Sequence, residues 1–233
     1  MMKNKIPGLI FIFLFQTLVF GQKNDLKLNI DLNFNSDKIV IGENYTSKNK
    51  DILNFETIKF YLSNFEILYT DNSTSKEENS YHLIDIENPE SLVLNLKSEK
   101  NKEIKTLKFK IGVDSLASVS GAMEGDLDAT KGMYWAWQSG FINLKIEGKS
   151  KSCETRNNKF HFHVGGYLAP NYAIRAIEIP IKNSQIQNNS LHLKVDLAKL
   201  FDEIELNKIN SIMIPGKEAM KIADLSTQIF SVE

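Results

Sequence analysis

The chain has 233 residues, 42 % hydrophobic and 24 % charged, values ordinary for a globular protein. Its 28 Lys and Arg against 29 Asp and Glu leave a formal net charge of −1. A surface so balanced gives no electrostatic drive toward nucleic acid or anionic lipid, so neither is expected as a partner.

At the N-terminus, Lys3 and Lys5 precede the apolar run 9–15, and Thr17-Leu18-Val19-Phe20 leads to the small Gly21. A basic start, a short apolar centre and a small residue describe a secretory signal peptide over residues 1–21, with cleavage expected between Gly21 and Gln22. Gln16 interrupts the run, which falls short of the ~20 residues a spanning helix needs. The expected product is a periplasmic or secreted protein without a membrane anchor, with residues 22–233 as one domain. Cys153 is the only cysteine, so no internal disulfide forms and the core alone must hold the fold. Its polar surroundings (residues 149–154) read as an exposed turn.

Residues 25–34 alternate, with Leu26, Leu28, Ile30, Leu32 and Phe34 on one side and Lys27, Asn29, Asp31 and Asn33 on the other. Period two makes this a strand with one buried face. Residues 57–68 alternate in the same way, but the parity breaks at Asn64 and restarts, which predicts a bulge or bend there. Further strands are expected over 81–86, 92–96, 107–113, 141–146, 159–167, 175–181, 191–195 and 210–214. A short helix is expected over 197–206 and one helical turn within 219–230. Residues 114–130 are small and acidic and read as a long structured loop, a feature usually tied to function or disorder. Strands recur with turn signals and no regular helices between them. The fold class expected is all-β, an antiparallel β-sandwich with long structured loops and at most short helices.

Three groups of residues could carry chemistry. His161 and His163 stand at i and i+2, on one face of a strand, about 6.6 Å apart along it. Two imidazoles so placed can bind one metal ion, and imidazole suits Zn, Cu, Fe and Ni; two ordinary exposed histidines would give the same pattern. Trp135 and Trp137 share a face in the same way, as metal-site or core aromatics. Met133 beside them is either a soft ligand suited to Cu(I) or a gap-filler. Asp126 and Asp128, in an Asp-x-Asp run, could bind Ca²⁺ through oxygen or cap a solvated turn. No motif for a nucleophile, a phosphate loop or an acid–base pair occurs, so no enzymatic activity is expected. One geometric condition applies. A hairpin of residues 141–148 and 157–167 turning near Ser152 puts His163 opposite Ile142. The tryptophans then reach the imidazoles only if Gln138-Ser139-Gly140 turns the chain back.

Several runs are similar to a known family: Phe60-Tyr61-Leu62-Ser63-Asn64, Gly112-Val113-Asp114-Ser115, Ser120-Gly121-Ala122-Met123, Gly125-Asp126-Leu127-Asp128, residues 131–140 and His161-Phe162-His163-Val164-Gly165-Gly166-Tyr167. They resemble the MbnP-like periplasmic copper-binding proteins, related to CorA and MopE of methane-oxidising bacteria. The resemblance covers most of the chain after the leader. It implies a β-rich exported domain that binds copper, as Cu⁺ or Cu²⁺, for uptake, delivery or storage. In some members a dihaem peroxidase-like (MbnH-like) partner oxidises a tryptophan to kynurenine, whose amine helps to bind copper; an outer-membrane copper-uptake system is a further implied partner. The matching positions are Trp135, or else Trp137, with His161 and His163. The relatives use a further histidine near the tryptophan; none lies between Asp114 and Phe160 here, leaving Met133 or His82 to fill that place. The alternative reading is a structural or protein-binding β-sandwich without metal, its tryptophans in the core or on a docking surface.

Overall fold

A computed structural model describes residues 24–121, 123–137 and 140–233. The leader expected in residues 1–21, its cleavage point, and Gln138 and Ser139 of the expected bend lie outside the described residues.

Alternation in Asn24–Phe34 buries Leu26, Leu28, Ile30, Leu32 and Phe34. Burying each such side chain stabilises the fold by roughly 1.5–3 kcal/mol. This strand pairs in parallel with Ser190–Asp196 and antiparallel with Val93–Ser98. With Phe230–Val232 and Asp37–Lys38 they form a five-stranded sheet.

The second sheet has ten strands and is built on Ile52–Tyr69, 18 residues long. Its path runs Arg175–Pro180, Ile104–Ile111, Ile52–Tyr69, Gly140–Lys149, Lys159–Gly165, Ser211–Ile212. The long strand bends where its parity fails: Asn64 has φ 52° and the register shifts between Ser63 and Glu66. Asparagine tolerates this left-handed conformation better than most residues.

The facing sides of the two sheets share one apolar core, with Leu28 and Ile30 from the first and Phe60 and Phe162 from the second. The chain is thus an all-β sandwich, as its alternation predicts, with two parallel ladders among the antiparallel ones: Asn24–Phe34 with Ser190–Asp196, and Lys159–Gly165 with Ser211–Ile212. Among the described residues no helix is long and apolar enough to cross a membrane.

Three local expectations need correction. The tail forms a helix of 9 residues, Lys217–Leu225, rather than one turn, because Ala219, Ile222 and Ala223 fall on one buried stripe. Residues 114–130 are not wholly irregular. They hold the helix Ser115–Ser120, capped by Asp114, and two 3₁₀ turns, Gly125–Leu127 and Ala129–Lys131. Cys153 is fully buried in the main core, not exposed. Its turn folds inward, held by Ser150 N–H to the Asn158 carbonyl and by Asn158 Nδ2 to the Cys153 carbonyl. Burial pushes the thiol up to about 11, so it is no ready ligand for a soft metal.

The segment 114–130 roofs the outer face of the second sheet. Beneath it Tyr61, Leu83, Val113, Leu127, Met133, Trp135, Phe141 and Ile142 pack as a second apolar cluster. Trp135 of this cluster lies on Gly165, two residues beyond His163.

Candidate metal centre

Strand alternation in Lys159–Gly165 sends Phe160, Phe162 and Val164 into the main core and leaves His161 and His163 on the outer face. Their ring centroids lie 6.4 Å apart with planes at 89°, close to the i, i+2 spacing of a strand. The register differs from the simple hairpin: His163 lies opposite Lys145, and His161 opposite Glu147. The connection is longer than a tight turn, since it contains the inward fold at Cys153 and the left-handed residues Asn157 and Asn158.

This register sets an acid on the neighbouring strand beside the imidazoles. His163 Nε2 is 2.6 Å from Glu147 Oε1; a carboxylate only accepts, so the ring donates from Nε2. Lys145 Nζ flanks the same oxygen at 3.6 Å. His163 is 7 % exposed. The hydrogen bond from His163 is the main reason that the Glu147 carboxyl is drawn down from 4.5 to about 2; burial opposes it, and the charges of Lys145, His163 and His161 assist. A carboxyl with its folded pKa below its unfolded one contributes stability above the unfolded value and loses it as pH falls through the folded one. Here that window runs from 4.5 down to about 2. Thermal melts across it will show wild type losing more stability than Glu147→Gln; parallel losses would count against the pairing.

The tryptophan segment does turn back. Tyr134–Trp135 pairs antiparallel with Phe141 and Gly140, and Ile142 N–H donates to the Met133 carbonyl at 2.8 Å. Trp135 is buried and its ring lies on Gly165: a Cβ there would sit 2.7 Å from Trp135 Cζ3 and 2.6 Å from the Phe141 carbonyl oxygen. Glycine at 165 is therefore what allows the indole and the neighbouring strand to come so close. Gly165 follows His163 on the same face, so the indole stands about one strand repeat, ~6.6 Å, along from the His163 imidazole and two from that of His161. Trp137 is 64 % exposed and its ring centroid is 5.8 Å from that of Trp135.

A family model for MbnP matches residues 23–214. The chain belongs to the MbnP family. Its fold is also that of the solved structure "MbnP from Methylosinus trichosporium", with a TM-score of 0.59 at 13 % identity over 91 % of this chain and 98 % of that one. No curated protein matches it.

The remaining candidate residues of this MbnP-family chain are placed apart from the histidine pair or are occupied. Met133 is fully buried in the second cluster. His82 pairs with Leu62 on the strand Tyr81–Asp85, which joins Ile52–Tyr69 on the side away from Gly140–Lys149. Three strand spacings, ~14 Å, thus separate it from the His161 strand. Its Nε2 is 3.1 Å from Glu77 and its ring packs on Phe65 at 5.7 Å. Asp126 binds Lys131 Nζ at 2.6 Å and the Leu83 N–H at 3.0 Å, while its carbonyl accepts from Tyr61 Oη at 2.8 Å. Asp128 accepts from Thr130 N–H and Oγ1 at 2.8 and 2.7 Å. Asp126 pins the roof to the sheet, and Asp128 caps the turn Ala129–Lys131. Among the described residues no group of three or more His, Cys, Asp or Glu side chains is arranged to hold a metal ion.

Glu147 is the residue that sequence reading missed. Its signal was the alternation of Leu144 and Ile146 with Lys145 and Glu147, which puts the two charges on the histidine face. Only the register sets Glu147 opposite His161.

Proposed function

We propose that this chain is an exported copper-binding protein that holds copper for uptake, delivery or storage and turns over no substrate. The observation that carries this reading is the His161–His163 pair, two imidazoles on one face with centroids 6.4 Å apart. Metal–imidazole bonds of ~2.0 Å let one ion join rings at about this separation, and imidazole is a suitable copper donor. The donor set fits copper in type, with two nitrogens and a carboxylate behind one of them. His161 and His163 would hold the cargo. Trp135, one repeat along the face, would wall it or, as kynurenine, add an amine. By the family resemblance, its partners would be a dihaem peroxidase-like enzyme and an outer-membrane copper-uptake system. The basic and apolar start of the sequence supports export.

Anaerobic titration of the mature chain with Cu⁺, and aerobic titration with Cu²⁺, test the reading. A single ion per chain that survives a competing chelator is the expected result; a chain that binds neither form contradicts it. Peptide mass mapping of protein from its native host will show whether Trp135 or Trp137 is oxidised.

A protein-binding sandwich without metal is the second reading, favoured by the exposure of Trp137 and of Leu116, Val119 and Leu168. Partner capture that persists in chelator and is lost in Trp137→Ala would favour it.

A further inference from the structure

We infer that Glu147 is the positioning residue of the histidine pair: it holds Nε2 of His163 and so leaves Nδ1 as the nitrogen that faces the ion. This inference rests on the copper-binding reading above.

The register puts Glu147 directly opposite His161 and one diagonal step from His163. Diagonal cross-strand neighbours are within reach of long side chains. Glu147 Oε1 uses that reach, at 2.6 Å from Nε2. A neutral imidazole has one N–H and one lone pair, so a ring that donates from Nε2 offers its lone pair at Nδ1. Charge-assisted hydrogen bonds of this kind hold the ring's rotation as well as its tautomer. The ring has little freedom to escape, because His163 is buried and Lys145 stands opposite it.

Lys145 supports the arrangement. Its Nζ lies 3.6 Å from the same carboxylate oxygen and 3.4 Å from the Gly132 carbonyl. It thus ties Glu147 to the segment that carries Met133 and Trp135. A carboxylate behind a ligating histidine fixes ring orientation and raises its basicity. The residues here form that relay before any ion arrives, on rigid strands rather than on a loop.

Two measurements test this on the full mature chain. In metal-free wild type, side-chain ¹⁵N NMR should find the His163 proton on Nε2, and Glu147→Ala should release that tautomer into a mixture. Glu147→Gln, which keeps the shape and an acceptor oxygen, should retain it. In chelator competition Glu147→Ala should bind copper about 10–100-fold more weakly, and Glu147→Gln should recover most of that loss. Thermal melts of both variants confirm that they are folded at the assay temperature. A His163 proton on Nδ1 in metal-free wild type overturns the inference, as does unchanged copper affinity in Glu147→Ala. Wild type that binds no copper would defeat the functional reading and the metal-facing part of this one; the tautomer would still decide the Glu147–His163 arrangement.

Discussion

Replacing His161 and His163 together by alanine will weaken copper binding by at least about 100-fold, since loss of an outer-shell partner alone costs 10–100-fold and here both direct nitrogen donors go. None of the other candidate donors named above is placed to substitute. Met133 is sealed in the second cluster, His82 lies beyond two intervening strands, and Cys153 is in the main core. The fold should survive. His161 is only half-buried, and the one hydrogen bond lost with the His163 ring leads to a carboxylate that still has Lys145 beside it. Loss of one such bond costs about 1–3 kcal/mol. Chelator competition reads the affinity and a melt reads the fold. Copper binding equal to wild type would remove His161 and His163 from the site.

Phe160→Ala will do the reverse. Phe160 precedes His161 but points into the other side of the sheet, fully buried. Its ring meets Phe55 at 6.2 Å, Phe162 at 5.8 Å and Phe201 at 5.4 Å. Truncating such a residue removes its transfer energy and leaves a cavity, for about 3–5 kcal/mol in all. Against a typical total of 5–15 kcal/mol this is a large share; it should lower Tm by about 6–20 °C for a domain of this size. Phe201 comes from a helix, Ala198–Phe201, and Phe55 from the long central strand. The loss is therefore felt both in the second sheet and in the helix packed on it. Measured well below its transition, the variant should bind copper as wild type does. Denaturant unfolding gives the stability; a change under ~1 kcal/mol would mean that the aromatic cluster packs otherwise than described. The two variants, at adjacent and nearby positions on one strand, thus separate what the two faces do.

Much of the fold was legible because strands write their period into the sequence. Asn24–Phe34 shows its buried side residue by residue, and the broken parity at Asn64 marks the bend in the longest strand. The meeting of tryptophan and histidine was legible as a condition: a reversal near Gly140 was needed, and Trp135 does pair with Gly140. Pairing at long range was not legible. Nothing local in residues 190–196 says that they lie parallel to the first strand. A three-residue offset in the hairpin around Cys153, with His163 opposite Lys145 rather than Ile142, hid both the burial of that thiol and the place of Glu147, because register depends on how the connection folds. The acids of residues 114–130 read as turn residues before metal ligands, and their partners decide it. Lys131, Thr130 and the Leu83 N–H are those partners.

X-ray absorption at the copper edge of the loaded chain tests the central claim most directly. The account predicts two imidazole nitrogens at about 2.0 Å, both lost in the His161→Ala/His163→Ala chain. A copper shell without imidazole scattering, or one unchanged in that variant, would contradict it.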